Sequence, residues 1–247
     1  MRPLLRWMAL VVGAALALQF FFVARIALMV LVDPQSTAFQ RSEAWRITRD
    51  QGRLPWRQQW VPYDQISDNL KRAVIASEDD GYSSHDGVDW DALEKAWQRN
   101  TRAEVQAAKR AAALANANNP STRPPKVVGG STITQQLAKN LFLSGERNFL
   151  RKGQELVLTM LLELLLDKRR ILEIYLNSVE WGEGVFGAQA AAEHYFRKSA
   201  ARLSAFEAAR LAVMLPRPKY FEKLSNSAYL SGRAGTIAAR MGDARLP

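Results

Sequence analysis

The stretch NLKRAVIASEDDGYSSHDG, residues 69–87, runs from a helix pattern with one apolar face into a cluster of acids. The same helical spacing returns just after it, where Trp90, Leu93 and Trp97 stand at i, i+3 and i+7. No alternating strand pattern and no internal repeat stands out along the chain. The sequence therefore predicts one mainly α-helical domain, which we place at residues 64–247.

The acid cluster fits three kinds of chemistry, namely metal binding, helix capping and proton transfer. Glu78 ends the apolar helical run, and a carboxylate at the buried edge of a helix has the raised pKa that a general base needs near neutral pH. His85 stands close to the acids, but one histidine without a second at ligand spacing favours a structural, hydrogen-bonding role. We therefore expect no dedicated metal-binding residues.

The composition narrows the chemistry and the partners. The 247 residues contain no cysteine, which excludes disulfides, cysteine-ligated zinc and thiol catalysis. Lys and Arg outnumber Asp and Glu by 34 to 24, and the net charge of +10 predicts attraction to polyanions. Nucleic acid, anionic lipid and phosphorylated substrates all meet that description.

The N-terminus distinguishes among these partners. Residues 7–32 are apolar apart from two polar interruptions, and about 20 such residues cross a bilayer. Arg2 and Arg6 precede the run and favour a cytoplasmic N-terminus. A small-x-small triplet at residues 15–17 fits a cleaved signal peptide, but it lies inside the apolar run, which favours an uncleaved anchor.

These features predict an anchor at residues 1–32, a membrane-proximal linker at 33–63 and a catalytic domain just outside the membrane. A domain in that position does not meet nucleic acid. Its positive charge is expected to serve membrane lipids or a phosphorylated lipid.

The stretch GGSTITQQLAKN, residues 129–140, contains a helix start and a candidate anion site. Thr132 and Gln135 have the spacing of a capping box, which predicts that a helix begins there. Gln135 and Lys139 then share one face, with Gln136 beside Lys139. Glycines, hydroxyls and free backbone N–H groups at a helix N-terminus suit an anion, although a capped surface helix fits the same pattern.

The stretch SGERNFLRKGQE, residues 144–155, places basic side chains ahead of Glu155. Arg151 and Glu155 are i, i+4 neighbours on a helix, so they fit a solvated surface ion pair. They also fit a cleft carboxylate that basic groups keep ionised. The apolar run that follows, residues 156–166, is too short to span a bilayer and predicts a buried core helix.

Together these stretches resemble the peptidoglycan glycosyltransferases that polymerise lipid II, the lysozyme-like module of the penicillin-binding proteins. The resemblance covers about residues 64–220. Its five motifs, in order, are EDDGYSSHDG (78–87), GGSTITQQLAKNLF (129–142), RKGQE (151–155), KRRILEIYLN (168–177) and, more loosely, RLAVMLPRP (210–218).

Two departures and one absence refine the resemblance. Tyr82 stands where the family usually has Phe, and the Ala/Arg-rich segment at residues 101–126 is longer than the usual connection between the first two motifs. We expect a helical or frayed excursion there, followed by a loop at 116–125. Neither Ser-x-x-Lys nor Lys-Thr-Gly occurs, so the resemblance is to the stand-alone form without a transpeptidase domain.

The resemblance implies a two-lobed, lysozyme-like helical fold and an inverting glycosyl transfer. The lipid-pyrophosphate-linked chain would be the donor, and the 4-hydroxyl of lipid II would be the acceptor. Glu78 is implied as the general base and Glu155 as the second catalytic carboxylate. The implied substrate-binding residues are Asp79 (which supports Glu78), Ser131, Gln135, Gln136, Lys139, Arg147 and Arg151.

The implied partners are lipid II, the growing glycan, membrane lipids and other proteins of cell-wall synthesis. No cofactor is expected to be obligatory, while Mg²⁺ or Mn²⁺ at the pyrophosphate is compatible with the site. Two alternatives stay open. One is a hydrolase or lytic transglycosylase, which also uses a catalytic Glu but has no need of cations for a pyrophosphate. The other is a membrane scaffold without activity.

Overall fold

The computed structural model describes residues 2–115, 130–143 and 149–247. Most of these residues are helical. The helices are α1 (Arg2–Leu28), α2 (Ala38–Gln51), α3 (Asp68–Glu78), α4 (Trp90–Ala115), α5 (Ile133–Phe142), α6 (Phe149–Leu165), α7 (Lys168–Ser178), α8 (Ala188–Phe196), α9 (Ala205–Met214), α10 (Pro218–Glu222) and α11 (Ala228–Arg240).

Two groups of helices form the domain. In one group α9 packs against both α3 and α11, and in the other α5 packs against α6 and α7. Ser67 begins α3 by accepting a hydrogen bond from the backbone N–H of Leu70, as an N-cap serine does. The acid cluster at the end of α3 lies where the two groups meet. The predicted class, mainly α with one apolar helix ahead of the domain, is confirmed.

A small sheet of short strands lies beside the helices. Its strands are β1 (Arg57–Gln58), β2 (Glu180–Gly182) and β3 (Val185–Phe186), in the order β1-β3-β2. β3 pairs parallel with β1 and antiparallel with β2. Strands of two or three residues are too short to show an alternating pattern, which is why the sequence did not reveal them.

α1 is the one helix of the described residues that is long and apolar enough to cross a membrane, over Pro3–Leu28. Most of it is exposed, but its C-terminal end is tied to the domain. Phe22 and Ile26 are buried, and the amides of Gln19 and Gln154 hydrogen-bond each other at 3.0 Å. The C-terminal end of α1 therefore packs against α6.

Residues 33–63, for which the sequence predicted a linker, contain α2 and β1. α2 begins with a complete capping box between Thr37 and Gln40 and packs against α5. Ile47 on α2 is fully buried. This stretch is thus a folded part of the domain, because it covers the cleft side of α5.

Two predicted helices are present but bury less of their apolar surface than their sequence pattern suggests. Trp90 and Trp97 are 63% and 75% exposed, because the face of α4 that reaches the domain carries Ala96 instead. In the apolar run at 156–166 Leu158 and Leu162 are buried, but Leu164 on the opposite side of α6 is 78% exposed. The helical excursion predicted from residue 101 is present in α4 up to Ala115, whereas the loop predicted at 116–125 lies outside the described residues.

Candidate active site

A cavity of about 480 Å³ opens between α5, α6 and the turn before α10. It gathers most of the residues that the sequence motifs suggested. The predicted site residues that line it are Ser131, Gln135, Gln136, Lys139, Arg151 and Glu155.

The helix start predicted at Thr132 is confirmed. Thr132 and Gln135 form a full capping box, so the Gln135 side chain is partly used to hold the helix end. The hydroxyl of Thr132 donates to the backbone oxygen of Gly87 at 2.6 Å. These bonds fix α5 against the acid cluster, and Lys139 on the same helix lines the cavity.

Asp79 connects the acid cluster to α5. One carboxylate oxygen lies 2.8 Å from Nε2 of His85, and the other accepts a hydrogen bond from the backbone N–H of Ile133 at 2.9 Å. The second bond satisfies a backbone donor at the N-terminus of a helix. Asp79 therefore holds the two groups of helices in register, and the structural, hydrogen-bonding role predicted for His85 is confirmed.

Glu78 is half-buried at the end of α3. Burial raises the pKa of its carboxyl, and the neighbouring charge of Asp79 raises it further. A hydrogen bond from Nε2 of Gln136 to Oε2 of Glu78, 3.0 Å long, and the charge of Lys139 act in the opposite direction. A carboxylate with a raised pKa at a cavity edge has the properties of a general base.

The amide of Gln136 is oriented by a second bond. The hydroxyl of Tyr175 on α7 donates to Oε1 of Gln136 at 2.9 Å, which leaves the amide N–H₂ to face Glu78. Tyr175 is buried. The relay from Tyr175 through Gln136 to Glu78 was missed by sequence reasoning, because residues 136 and 175 are far apart in the chain.

Glu155 lies inside the cavity and is 4% exposed. Arg151 donates to its Oε2 at 2.9 Å, and Lys152 forms a second ion pair with its Oε1. The i, i+4 ion pair predicted for Arg151 and Glu155 is present, but it lies in the cleft, not on the solvated surface. Lys152 also lines the cavity, whereas Arg147, a predicted site residue, lies outside the described residues.

A second cavity of about 620 Å³ borders Glu78 on the other side. α9, α10 and α11 surround it, and it combines cationic with aromatic side chains, including Arg217, Tyr220, Tyr229 and Arg233. Since Gln136 in the first cavity donates to Glu78, the carboxylate stands at the junction of the two. Sequence reasoning missed this cavity, because the residues from α11 lie beyond the recognised motifs.

Metal-binding groups do not gather at this site. Among residues 2–115, 130–143 and 149–247, no three His, Asp or Glu side chains come together in a way that could hold a metal ion. Glu155 already has two cationic partners. Among the described residues, the cavity lining combines three cationic side chains with two carboxylates, namely Lys139, Arg151, Lys152, Glu155 and Glu180.

Comparison with known proteins agrees with this geometry. The family model described as Transglycosylase matches residues 49–113 and 107–242, more than half of the chain. The chain belongs to the transglycosylase family. The two matched pieces meet inside the Ala/Arg-rich segment at 101–126, where the sequence departs from the family pattern.

Curated relatives of this transglycosylase span almost its whole length. A biosynthetic peptidoglycan transglycosylase of Burkholderia thailandensis is 53% identical over 250 residues, which cover 100% of this chain and 90% of the relative. A protein of the same description from Paraburkholderia xenovorans is 52% identical over 246 residues, with 98% and 94% covered.

Proposed function

We propose that this chain polymerises lipid II into the glycan strands of peptidoglycan by an inverting transfer that forms β-1,4 linkages. The observation that carries the proposal is the position of Glu78. It stands between a cavity lined by cations and a second cavity lined by aromatic and arginine side chains. A polymerase that joins a lipid-pyrophosphate donor to a sugar acceptor needs a base at such a junction.

Glu78 acts in its ionised form. It takes the proton of the acceptor's 4-hydroxyl while that oxygen attacks the anomeric carbon of the donor. The bond from this carbon to the pyrophosphate oxygen breaks, and its electron pair leaves with the pyrophosphate. Gln136 and Tyr175 keep Glu78 in a fixed orientation during proton transfer.

The donor pyrophosphate occupies the first cavity. Pyrophosphate leaves as a stable anion, so it needs positive charge more than a proton. Lys139, Arg151 and Lys152 supply that charge, and Glu155 positions the latter two through its ion pairs. A hydrolase has no leaving group of this kind, so the cations favour synthesis over cleavage.

The acceptor occupies the second cavity. Aromatic faces such as those of Tyr220 and Tyr229 suit sugar rings, and Arg217 and Arg233 suit phosphate oxygens. Lipid II carries both groups. Binding there brings its free hydroxyl to Glu78, which also lines this cavity.

α1 anchors the enzyme in the bacterial inner membrane with its N-terminus inside and the domain on the periplasmic side. The packing of Phe22 and Ile26 and the bond between Gln19 and Gln154 support a fixed anchor. The cleft is thereby held near lipid-borne substrates, and membrane lipids are partners of α1. Other proteins of cell-wall synthesis are also proposed as partners. This proposal rests only on the reaction that the enzyme is proposed to catalyse.

A divalent cation such as Mg²⁺ or Mn²⁺, when present, takes its oxygens mainly from the pyrophosphate. Carboxylate clusters for a resident ion are lacking in the described part of the chain, and a cation between phosphates needs few protein ligands. It would neutralise leaving-group charge beside Lys139. The enzyme's own residues keep the roles given above.

The test is incubation of the full-length protein with lipid II. Wild type is expected to form polymer. Glu78→Gln is expected to bind lipid II but to form no polymer. Asp86→Asn, an exposed acid of the same motif, serves as the matched control and should leave polymerisation unchanged. Fragments released from finished peptidoglycan without polymer, or polymer made by Glu78→Gln, would refute the proposal.

A further inference from the structure

Glu180 lies in the wall of the donor cavity but belongs to none of the recognised motifs. It begins β2 directly after α7, and its side chain is 7% exposed. Oε1 of Glu180 is sealed from solvent and has no well-formed hydrogen bond among the described residues, since the ammonium of Lys219 stands 3.4 Å away. A buried carboxylate oxygen with so weak a partner is costly when it is charged. The position therefore favours the neutral acid.

The nearest cation is shared with another carboxylate. Nζ of Lys219 on α10 lies 3.4 Å from Oε1 of Glu180, but it makes its closer ion pair with Glu43 on α2. Arg46 also donates to Glu43, at 2.8 Å. Since Glu43 holds Lys219 more closely, the negative charge of Glu180 is compensated only in part.

The other ionisable groups around Glu180 do not neutralise the rest of its negative charge. The ionisable groups of the protein that act on it are Glu43, Glu183, Tyr195 and Lys219. Arg46 is used by Glu43 and by Glu183, 2.7 Å away. Across the cavity stand Lys139, Arg151, Lys152 and Glu155. Burial raises the pKa of Glu180 to about 7, and Glu43 and Glu183 add to the rise while Lys219 opposes it.

The protonation state of Glu180 matters for an anionic ligand in this cavity. An ionised carboxylate in the wall repels a pyrophosphate, and the low dielectric of a buried site strengthens the repulsion. A neutral carboxylic acid removes the repulsion, and its O–H can donate to an oxygen of the ligand. Lys219 and Glu43 act in opposite directions on the pKa of Glu180, so both affect the charge of this wall.

We infer that Glu180 is a donor-binding residue that contacts the lipid-pyrophosphate sugar as a neutral carboxylic acid, with Lys219 and Glu43 as the positioning pair that sets its charge. The inference rests on the proposed function, because it assigns the first cavity to the donor. Glu180 is thereby expected to change the affinity for the donor, whereas Glu78 is expected to change the rate of the chemical step.

The test measures equilibrium binding of lipid II whose 4-hydroxyl is blocked, so that it can react only as a donor, and the variant Arg217→Ala, which weakens the acceptor cavity, separates binding in the two cavities. If binding requires the neutral acid, the apparent Kd of wild type should rise about 30-fold between about pH 6 and about pH 8.5. A pyrophosphate diester does not titrate in this range. Glu180→Gln, which mimics the neutral acid, should bind with a Kd close to that of wild type at low pH and should lose the pH dependence.

Three further variants make the test decisive. Glu180→Ala should bind weakly at every pH, and Lys219→Met should move the rise in Kd to higher pH. Glu183→Gln changes a neighbouring carboxylate outside the cavity wall and should keep most of the wild-type pH dependence. Thermal melting checks that each variant is folded. A wild-type Kd that does not change with pH, or a Glu180→Gln variant that follows wild type, would overturn the inference. Absence of polymer formation by wild type would overturn the proposed function instead.

Discussion

Replacement of Gln136 by Leu tests how the fold controls the proposed base. The variant removes the hydrogen bond of 3.0 Å to Oε2 of Glu78 but keeps a side chain of similar size. This bond stabilises the ionised carboxylate, so its loss raises the pKa of Glu78 further above its ordinary value. The maximal rate should therefore fall at neutral pH and recover as the pH rises.

The size of the effect follows from the strength of the bond. A hydrogen bond to a charged group contributes about 1.5–3 kcal/mol, and the lower end applies because Glu78 is half-buried. About 1.5 kcal/mol corresponds to roughly tenfold less ionised base on the acid side of the profile. The maximal rate of Gln136→Leu should be about tenfold lower there and close to that of wild type at high pH.

The assay is the initial rate of polymer formation at saturating lipid II across the pH range. Gln135→Leu is the matched control, since Gln135 lines the same cavity but bonds to the backbone N–H of Thr132 instead of to Glu78. It should lose helix-cap stability and leave the acid side of the profile in place. A Gln136→Leu profile that is lowered equally at every pH would refute the assignment of Glu78 as the base.

Three other variants give separate readouts. Asp79→Asn removes a negative charge that raises the pKa of Glu78, so the acid side of the rate profile should move to lower pH, opposite to Gln136→Leu. Lys139→Ala should raise the KM for lipid II about tenfold and change kcat less, as steady-state kinetics will show. Gly87→Ala should lower the unfolding free energy by about 2 kcal/mol or more in denaturant titration, because Gly87 has φ +83° and a Cβ there would lie 2.7 Å from Cγ2 of Thr159.

Sequence reasoning succeeded where a feature depends on neighbours in the chain. The capping box of Thr132 and Gln135 involves residues three apart, and it correctly placed the start of α5. The spacing of Arg151 and Glu155 predicted their ion pair. The same spacing did not show whether Glu155 faces solvent or a cleft. The other walls of that cleft come from segments elsewhere in the chain.

Sequence reasoning failed where distant segments decide the outcome. Trp90 and Trp97 have the spacing of a buried face, yet nothing among the described residues covers them. The surroundings of Glu180 come from α2 and α10, which carry Glu43 and Lys219. The charge of Glu180 depends on contacts between residues far apart in the chain, so no local pattern revealed it.

The two carboxylates at the cleft require opposite protonation states in the same turnover. Glu78 must be ionised to accept the acceptor's proton, while Glu180 must be neutral to admit the donor. Burial raises the pKa of both carboxyls, which moves both transitions to higher pH. Gln136 separates them, because its amide donates to Glu78, whereas Oε1 of Glu180 receives no such bond in the described structure. Gln136→Leu should therefore move the acid side of the activity profile to higher pH, whereas Glu180→Gln should remove the loss of donor binding at high pH.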